Sequence, residues 1–373
     1  MTRRALGVEH RAWSVGRGAL SVGRGAWSVG RRARSLRGAA ALLAVLTLNA
    51  QRSTLHAQRT HLLIVSGLGG APQYTEQFRN WGLALVDVAR KRYAMPDSEV
   101  VYLAEEGAKD PRIGGASTKA NVEATLARFA KRAAAGDQVV ILLIGHGSGA
   151  GEDSKISLPG PDLSARDFAH DLAPFTAQQV ALVDLTSASG DMLPVLSAAN
   201  RIVITATKSS FERNESVFAR YFIAALTGDG ADVDKDGRVS LLEAYRYAVT
   251  ETKRYYDDQG RLQTEHAQLD DDGDKKGTAE PDVRVAANGD GSLARRVFLG
   301  GGGGGGVYAS AVGANDPKLA ALYKERFALE GRIDELKKRK ASLSADAYDD
   351  ALENLLVELA MKAKAIRAME GRS

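Results

Sequence analysis

Short apolar runs alternate with helix-like patterns along residues 60–298. Runs of about four to eight apolar residues are typical of strands, and a run without a polar interruption predicts a strand buried on both faces. The runs that predict strands are His61–Ser66, Val100–Leu103, Val139–Ile144, Val180–Val183 and Ile202–Thr205.

Between these runs, apolar residues recur at intervals of three and four, which places them on one face of a helix. The predicted helices are Tyr74–Tyr93, Thr118–Ala134, Ser216–Leu226 and Leu242–Lys253. Buried strands that alternate with helices predict an α/β fold with a mainly parallel sheet flanked by helices. Binding sites in such folds lie beyond the carboxyl ends of the strands.

The pattern changes at Gly300–Gly306, where seven glycines follow one another. Because no packed element tolerates such a run, we predict a domain over 58–299 and a Gly-rich linker over 300–314. Apolar residues at helical spacing then predict a helical hairpin or short coiled coil over 315–373. Its apolar stripe is buried either by folding back within the chain or by a second copy, so a homo-oligomer is one expectation.

Residues 1–57 form a basic leader with a net charge of +9, whereas the remaining residues carry −5. The basic segment Arg31–Arg37 precedes the apolar run Ala39–Leu48, which is typical of a secretory signal. We therefore expect an exported protein, periplasmic or secreted, with no membrane span beyond a signal that is left uncleaved. Since the basic charge belongs to the leader, it does not predict nucleic-acid binding.

Candidate chemistry follows two neighbouring apolar runs. Val139–Ile144 leads into Gly145-His146-Gly147, and Val180–Val183 leads into Asp184-Leu185-Thr186-Ser187-Ala188-Ser189-Gly190. A His and a small hydroxyl residue at adjacent strand ends have the arrangement of a catalytic dyad. Backbone N–H groups near Gly147 are the predicted oxyanion site. The chain contains no cysteine, which excludes disulfides and a thiolate nucleophile.

These motifs resemble the caspase–hemoglobinase fold, specifically the legumain-like peptidases. In that family one apolar strand ends in a catalytic His-Gly, and the next ends in Ala-Cys-x-Ser-Gly with Cys as the nucleophile. Here His146-Gly147 and Ser187-Ala188-Ser189-Gly190 match, except that Ser187 stands at the position of the Cys. The resemblance implies that His146 and Ser187 occupy the catalytic positions.

A serine hydroxyl is much harder to deprotonate than a thiol and needs a well-placed base. The first hypothesis is therefore a pseudo-peptidase that binds a peptide or protein ligand and calcium. The second is a serine hydrolase in which His146 activates Ser187. The third is a calcium-stabilised assembly protein that acts through its C-terminal helices.

Residues 232–243 match the EF-hand calcium loop at every diagnostic position. Gly237 allows the sharp turn at position 6, and the predicted ligands are Asp232, Asp234, Asp236, Arg238 through its carbonyl, Ser240 and Glu243. Predicted helices lie on both sides of the loop. Calcium is therefore the predicted cofactor.

A second acidic run, Asp270–Asp274, lacks the acid that position 12 of a calcium loop requires, because Pro281 stands there. We therefore predict a solvated acidic loop, with a second bound ion as the alternative.

Overall fold

The computed structural model describes residues 58–93, 95–107, 110–228, 230–233, 238–281, 289–300 and 317–369. The predicted leader and all of the predicted linker except Gly300 lie outside the described residues.

The sequence forms ten strands and eight α-helices within the described residues. The strands are β1 Thr60–Ser66, β2 Val100–Ala104, β3 Gly115–Ala116, β4 Gln138–Ile144, β5 Gly147–Ser148, β6 Lys155–Ile156, β7 Leu163–Ser164, β8 Gln179–Asp184, β9 Arg201–Thr205 and β10 Gln268–Asp270. The helices are α1 Pro72–Lys91, α2 Lys119–Arg132, α3 Ala165–Leu172, α4 Leu193–Leu196, α5 Val217–Thr227, α6 Leu241–Asp258, α7 Pro317–Lys338 and α8 Ala345–Met369.

Seven strands form the central sheet in the order β10-β9-β8-β4-β1-β2-β3. All neighbours pair in parallel except β10, which is antiparallel to β9. Strands β5, β6 and β7 form a separate small antiparallel sheet. The α/β prediction with a mainly parallel sheet flanked by helices is confirmed.

Alternating side chains of the central strands enter two separate cores, one on each face of the sheet. In β4, Val140 and Leu142 pack in the core that α1, α5 and α6 cover, whereas Val139 and Ile141 pack in the core of α2 and α3. Every residue of β1 and β4 is buried. This explains why the central residues of both strands, Leu62–Val65 and Val139–Ile144, are all apolar: neither face of the strands meets water.

Local capping sets the start of several helices. The Thr118 side chain accepts the Asn121 N–H at the start of α2, and Ser164 and Asp167 form a capping box at the start of α3. Such a bond satisfies one of the N–H groups that a helix N-terminus leaves without an intrahelical partner. Helix α1 begins at Pro72, two residues before the predicted start, because proline needs no intrahelical partner there.

Several elements of the domain were not predicted: helices α3 and α4 and strands β3, β5, β6, β7 and β10. Strand β10 has three residues, and β3 and the strands of the small sheet have two each. Elements of this length carry too few positions to show a period. They form because neighbouring segments supply the backbone hydrogen bonds.

The two predicted C-terminal helices are present as α7 and α8. They pack against one another through Leu329, Ile333 and Leu355. On α8, the side chains of Leu356, Val357 and Met361 are about half exposed. The expectation of a homo-oligomer stays a prediction.

None of the described helices combines the length and the apolar character needed to span a bilayer.

The direction of the strand order reverses between β1 and β4. From β1 the chain moves outward to β2 and β3, and it then returns to β4 and continues to β8 and β9 on the other side. In an open α/β sheet this reversal leaves a crevice beyond the carboxyl ends of the two central strands, where ligands bind. The loops after β1, β4 and β8 therefore form the candidate site.

Candidate functional site

The loops after β4 and β8 lie against each other, as expected of adjacent parallel strands. The Gly147 N–H donates a hydrogen bond to Ser187 Oγ at 3.3 Å. A Cβ atom on Gly147 would lie 2.2 Å from the Ser187 carbonyl oxygen, so only glycine allows this approach. The structure thus brings Gly147, the neighbour of His146 in the chain, into contact with Ser187.

The His146 ring is held in a defined orientation. It packs edge-on against Tyr74 and Phe78, with ring centroids 5.2 and 5.3 Å away. Its Nε2 atom lies 3.2 Å from the carbonyl oxygen of Gly69, in the loop that follows β1. Because a carbonyl only accepts, Nε2 carries the proton in this bond, and the basic nitrogen of the neutral ring is Nδ1. The group that orients the histidine is therefore an uncharged backbone carbonyl.

Ser187 is 4% exposed. Within the described part of the chain, its Oγ accepts the Gly147 N–H, and no hydrogen bond joins it to His146. Among these residues no carboxylate pairs with His146 either. A serine nucleophile needs a base that accepts its proton, and that base is usually oriented by a third group. Of these two requirements, the described residues provide only the group that orients His146, the Gly69 carbonyl.

The rest of the β8 loop is anchored by the backbone of Ala188 and the side chain of Ser189. Ala188 has a φ of 55°, a left-handed conformation that few non-glycine residues adopt, and its N–H donates to the Glu212 carbonyl at 2.8 Å. The Ser189 Oγ accepts the N–H groups of Ala206 and Thr207 after β9. These contacts hold Ser187 in place between the ends of β4 and β9.

Asp184, the last residue of β8, is fully buried below this loop. Its Oδ1 accepts the Thr186 N–H at 2.9 Å, whereas Oδ2 has no hydrogen-bond partner among the described residues. Burial raises the pKa of Asp184 to about 6, and the hydrogen bonds from Thr186 oppose this rise only partly.

We expect Asp184→Asn to flatten the pH dependence of stability. Between about pH 4 and pH 6 the folded wild type keeps a proton that the unfolded chain loses, so its free energy of unfolding falls as the pH rises. At about 1.4 kcal/mol per pKa unit, the fall amounts to roughly 3 kcal/mol, and the amide cannot show it. Urea unfolding at pH 4 and pH 7 measures the difference. If the free energy of unfolding changed equally with pH in the two proteins, the Asp184 carboxyl would be ionised in the folded state over this range.

The predicted calcium loop connects α5 to α6, which pack against each other. Positions 2 and 12 of the motif meet, because the Val233 N–H donates to Glu243 Oε1 at 3.1 Å. Glu243 Oε2 accepts the N–H and Oγ–H of Ser240, which forms a capping box at the start of α6. Of the predicted ligands, Asp234 and Asp236 lie outside the described residues.

The Arg238 side chain is buried, and its guanidinium lies 3.8 Å above the centre of the Phe298 ring. Ser240 forms an antiparallel bridge with Phe298, and the Leu241 N–H donates to the Val297 carbonyl at 2.9 Å. The second half of the loop is therefore supported by the segment around residue 298. The sequence contains no pattern that predicts this contact.

The second acidic run differs from the predicted solvated loop. Asp270 and Asp271 are buried, whereas Asp272 is exposed. Oxygen atoms of Asp270, Asp272 and Asp290 all lie within 4.8 Å of one another, so this group can hold a metal ion. Position 12 of the run lacks an acid, but the fold supplies Asp290 from a separate segment. A pattern of fixed spacing cannot find such a residue.

Comparison of the chain with models of known protein families found no match, and comparison with curated proteins found none either. What is shown is therefore the architecture: an α/β fold with a mostly parallel seven-stranded sheet flanked by helices.

Proposed function

We propose that this chain is an exported protein of the caspase–hemoglobinase type that binds a peptide or protein segment at the ends of β4 and β8 without cleaving it. The two sequence motifs that resemble the legumain-like peptidases fall on neighbouring strands, beside the crevice where the strand order reverses. This placement supports the resemblance, since a nucleophile and its base must lie close together to act.

The proposal rests on the burial and hydrogen bonding of the Ser187 hydroxyl. Its hydroxyl is nearly buried and accepts a hydrogen bond from the Gly147 N–H, and within the described residues no base accepts its proton. A cysteine at this position can ionise beside His146, because the thiol pKa starts near 8.5. A serine hydroxyl lacks that advantage, and the neutral Gly69 carbonyl stabilises a protonated imidazole less than a carboxylate does.

A serine hydrolase is the second candidate function. Two observations favour it. The first is that the hydrogen bond from His146 Nε2 to Gly69 leaves Nδ1 as the basic nitrogen. The Gly147 N–H, directed at Ser187 Oγ, is also close to where an oxyanion would form. A movement that brings Nδ1 to the hydroxyl would complete the dyad.

We further propose that the loop from Asp232 to Glu243 binds calcium. The contact between Val233 and Glu243 brings the start of the loop to the carboxylate that would hold the ion in a bidentate manner. Asp232 is buried at the start of the loop. Calcium there would link α5 to α6 and so stabilise the half of the domain that follows β9.

Peptide hydrolysis and peptide binding by the full chain, measured side by side, distinguish the two candidate functions. The substrates are fluorogenic peptides with Asn, Asp, Arg or Lys at P1, with Ser187→Ala as the control, and the same peptides with a fluorescent label report binding by anisotropy. We expect saturable binding to wild type and to Ser187→Ala, with no cleavage by either. Cleavage by wild type that Ser187→Ala abolishes would replace the proposal with the serine hydrolase.

A further inference from the structure

Two separate segments of the chain exchange hydrogen bonds beside β10. The buried Asp271 carboxylate accepts the N–H groups of Gly291, Leu293 and Ala294 at 2.8–2.9 Å. In return, Asp290 Oδ1 accepts the Asp271 N–H at 3.0 Å. The two segments are therefore held in register, and this register brings Asp290 next to Asp270 and Asp272.

The surroundings of the Asp270 carboxylate indicate that a ligand binds here. It is fully buried, and although Oδ1 accepts the Gly273 N–H at 3.1 Å, Oδ2 has no hydrogen-bond partner among the described residues. No Lys or Arg within the described residues forms an ion pair with Asp270, Asp272 or Asp290. A buried carboxylate oxygen without a hydrogen bond or a counter-charge costs free energy unless a cation or a proton neutralises it.

The charges of the cluster also favour a bound cation. Three carboxylates at this distance repel one another, and a divalent cation removes the repulsion.

We infer that Asp270, Asp272 and Asp290 bind a calcium ion that clamps β10 to the segment 289–299. The three side chains offer only oxygen atoms, which selects hard cations such as Ca²⁺ and Mg²⁺. Ligands from two separate segments favour Ca²⁺, since it accepts irregular geometry and completes its shell with water or carbonyl oxygens. Mg²⁺ requires near-ideal octahedral geometry.

The clamp has a consequence for the rest of the domain. The segment that begins at Asp290 continues to Val297 and Phe298, which pair with Leu241 and Ser240 at the second half of the EF-hand-like loop. Calcium at the triad would therefore order the segment that supports this loop. The inference itself does not depend on calcium binding within the loop.

Calcium stoichiometry of the full chain, measured by calorimetric titration, tests the inference. Asp272→Asn is the test variant because Asp272 is exposed and its change disturbs no packing. Asp274→Asn is the matched control, since Asp274 belongs to the same acidic run but not to the triad. We expect Asp272→Asn to bind one calcium ion fewer than wild type and Asp274→Asn to bind as many. Equal stoichiometry in all three proteins would overturn the inference.

Asp232→Asn separates the two calcium proposals. If the EF-hand-like loop also binds calcium, this variant loses one ion and retains the ion at the triad. If the loop binds none, wild type binds one ion and Asp272→Asn binds none, which still supports the triad. Substituting Mg²⁺ for Ca²⁺ in the titration of Asp232→Asn tests the choice of metal, and tighter binding of Mg²⁺ would contradict calcium.

Hydrogen exchange provides a readout of the clamp itself. We expect calcium to slow exchange of the Gly291, Leu293 and Ala294 amides in wild type and in Asp274→Asn, because these N–H groups bond to Asp271 beside the ion. In Asp272→Asn the slowing should be lost, while its thermal stability in a chelator matches or exceeds that of wild type. Equal slowing in Asp272→Asn would show that the ion binds elsewhere.

Discussion

Ser187→Cys is expected to produce a thiol that reacts at least about tenfold faster with an alkylating agent at pH 6.5 than the same thiol without His146. The wild-type chain has no cysteine, so the variant contains a single thiol and all labelling reports on this position. An ordinary thiol with a pKa near 8.5 is about 1% ionised at pH 6.5. A cysteine paired with a protonated histidine has a much lower pKa, and the thiolate is the reactive form.

The geometry makes this prediction specific to His146. Its Nε2 proton is donated to the Gly69 carbonyl, so Nδ1 is the nitrogen that can take the thiol proton. The Gly147 N–H, 3.3 Å from Ser187 Oγ, would donate a further hydrogen bond to the thiolate. Both effects favour the charged form and lower the thiol pKa.

The matched control is Ser187→Cys combined with His146→Gln. Glutamine keeps a donor for the Gly69 carbonyl but cannot act as a base at this pH. The rate of alkylation as a function of pH gives the thiol pKa in both proteins. Labelling in urea provides a reference in which burial no longer limits access. An apparent pKa near 8.5 in both variants would mean that His146 does not face position 187 and would remove the basis for the resemblance to cysteine peptidases.

Gly147→Ala should disrupt the candidate site and destabilise the fold. The new Cβ atom would lie 2.2 Å from the Ser187 carbonyl oxygen and 2.6 Å from Thr186 Oγ1, so the loops after β4 and β8 must move apart. Overpacking of this kind costs about 1–3 kcal/mol. For a domain of this size, that corresponds to a decrease in Tm of roughly 2–10 °C. We also expect peptide binding to fall below detection, since the separation alters the site itself.

Gly114→Ala is the control for this substitution. A Cβ atom there would have the Tyr102 carbonyl oxygen as its nearest neighbour at 3.4 Å, which is an ordinary contact. The control variant should therefore melt close to wild type and bind peptide equally well. Thermal unfolding and fluorescence anisotropy measure both effects. If Gly147→Ala behaved like Gly114→Ala, the close contact between the two loops would not exist in solution.

Several features of the fold were predictable because they depend on local pattern. The uninterrupted apolar run Val139–Ile144 predicted a strand buried on both faces, and β4 is fully buried at the centre of the sheet. The capping residue Ser240 and the acid Glu243 were predictable as loop positions and also form the N-terminal cap of α6. Strand β10 was not predictable, because its three residues show no period and depend on β9 for their hydrogen bonds.

The candidate site also contains some residues that the sequence predicted and some contacts that it did not. His146 and Ser187 could be assigned to strand ends from sequence, since a parallel sheet brings the carboxyl ends of its strands to one edge. The Gly69 carbonyl that orients His146 could not, because a backbone atom of a loop has no sequence signature. Similarly, Asp290 has no neighbouring acidic residue in the sequence that would identify it as a partner of Asp270.

By itself, therefore, the sequence determined the α/β class, the five central strands with the four long helices of the domain, and the two residues at the ends of β4 and β8. Burial and hydrogen-bond capping act over a few residues, so they leave a pattern in the chain. Only the tertiary structure decided which groups meet: Gly147 with Ser187, the Gly69 carbonyl with His146, and Asp290 with Asp270. Those contacts join segments that are far apart in the chain, and their chemistry depends on distances that no local pattern encodes.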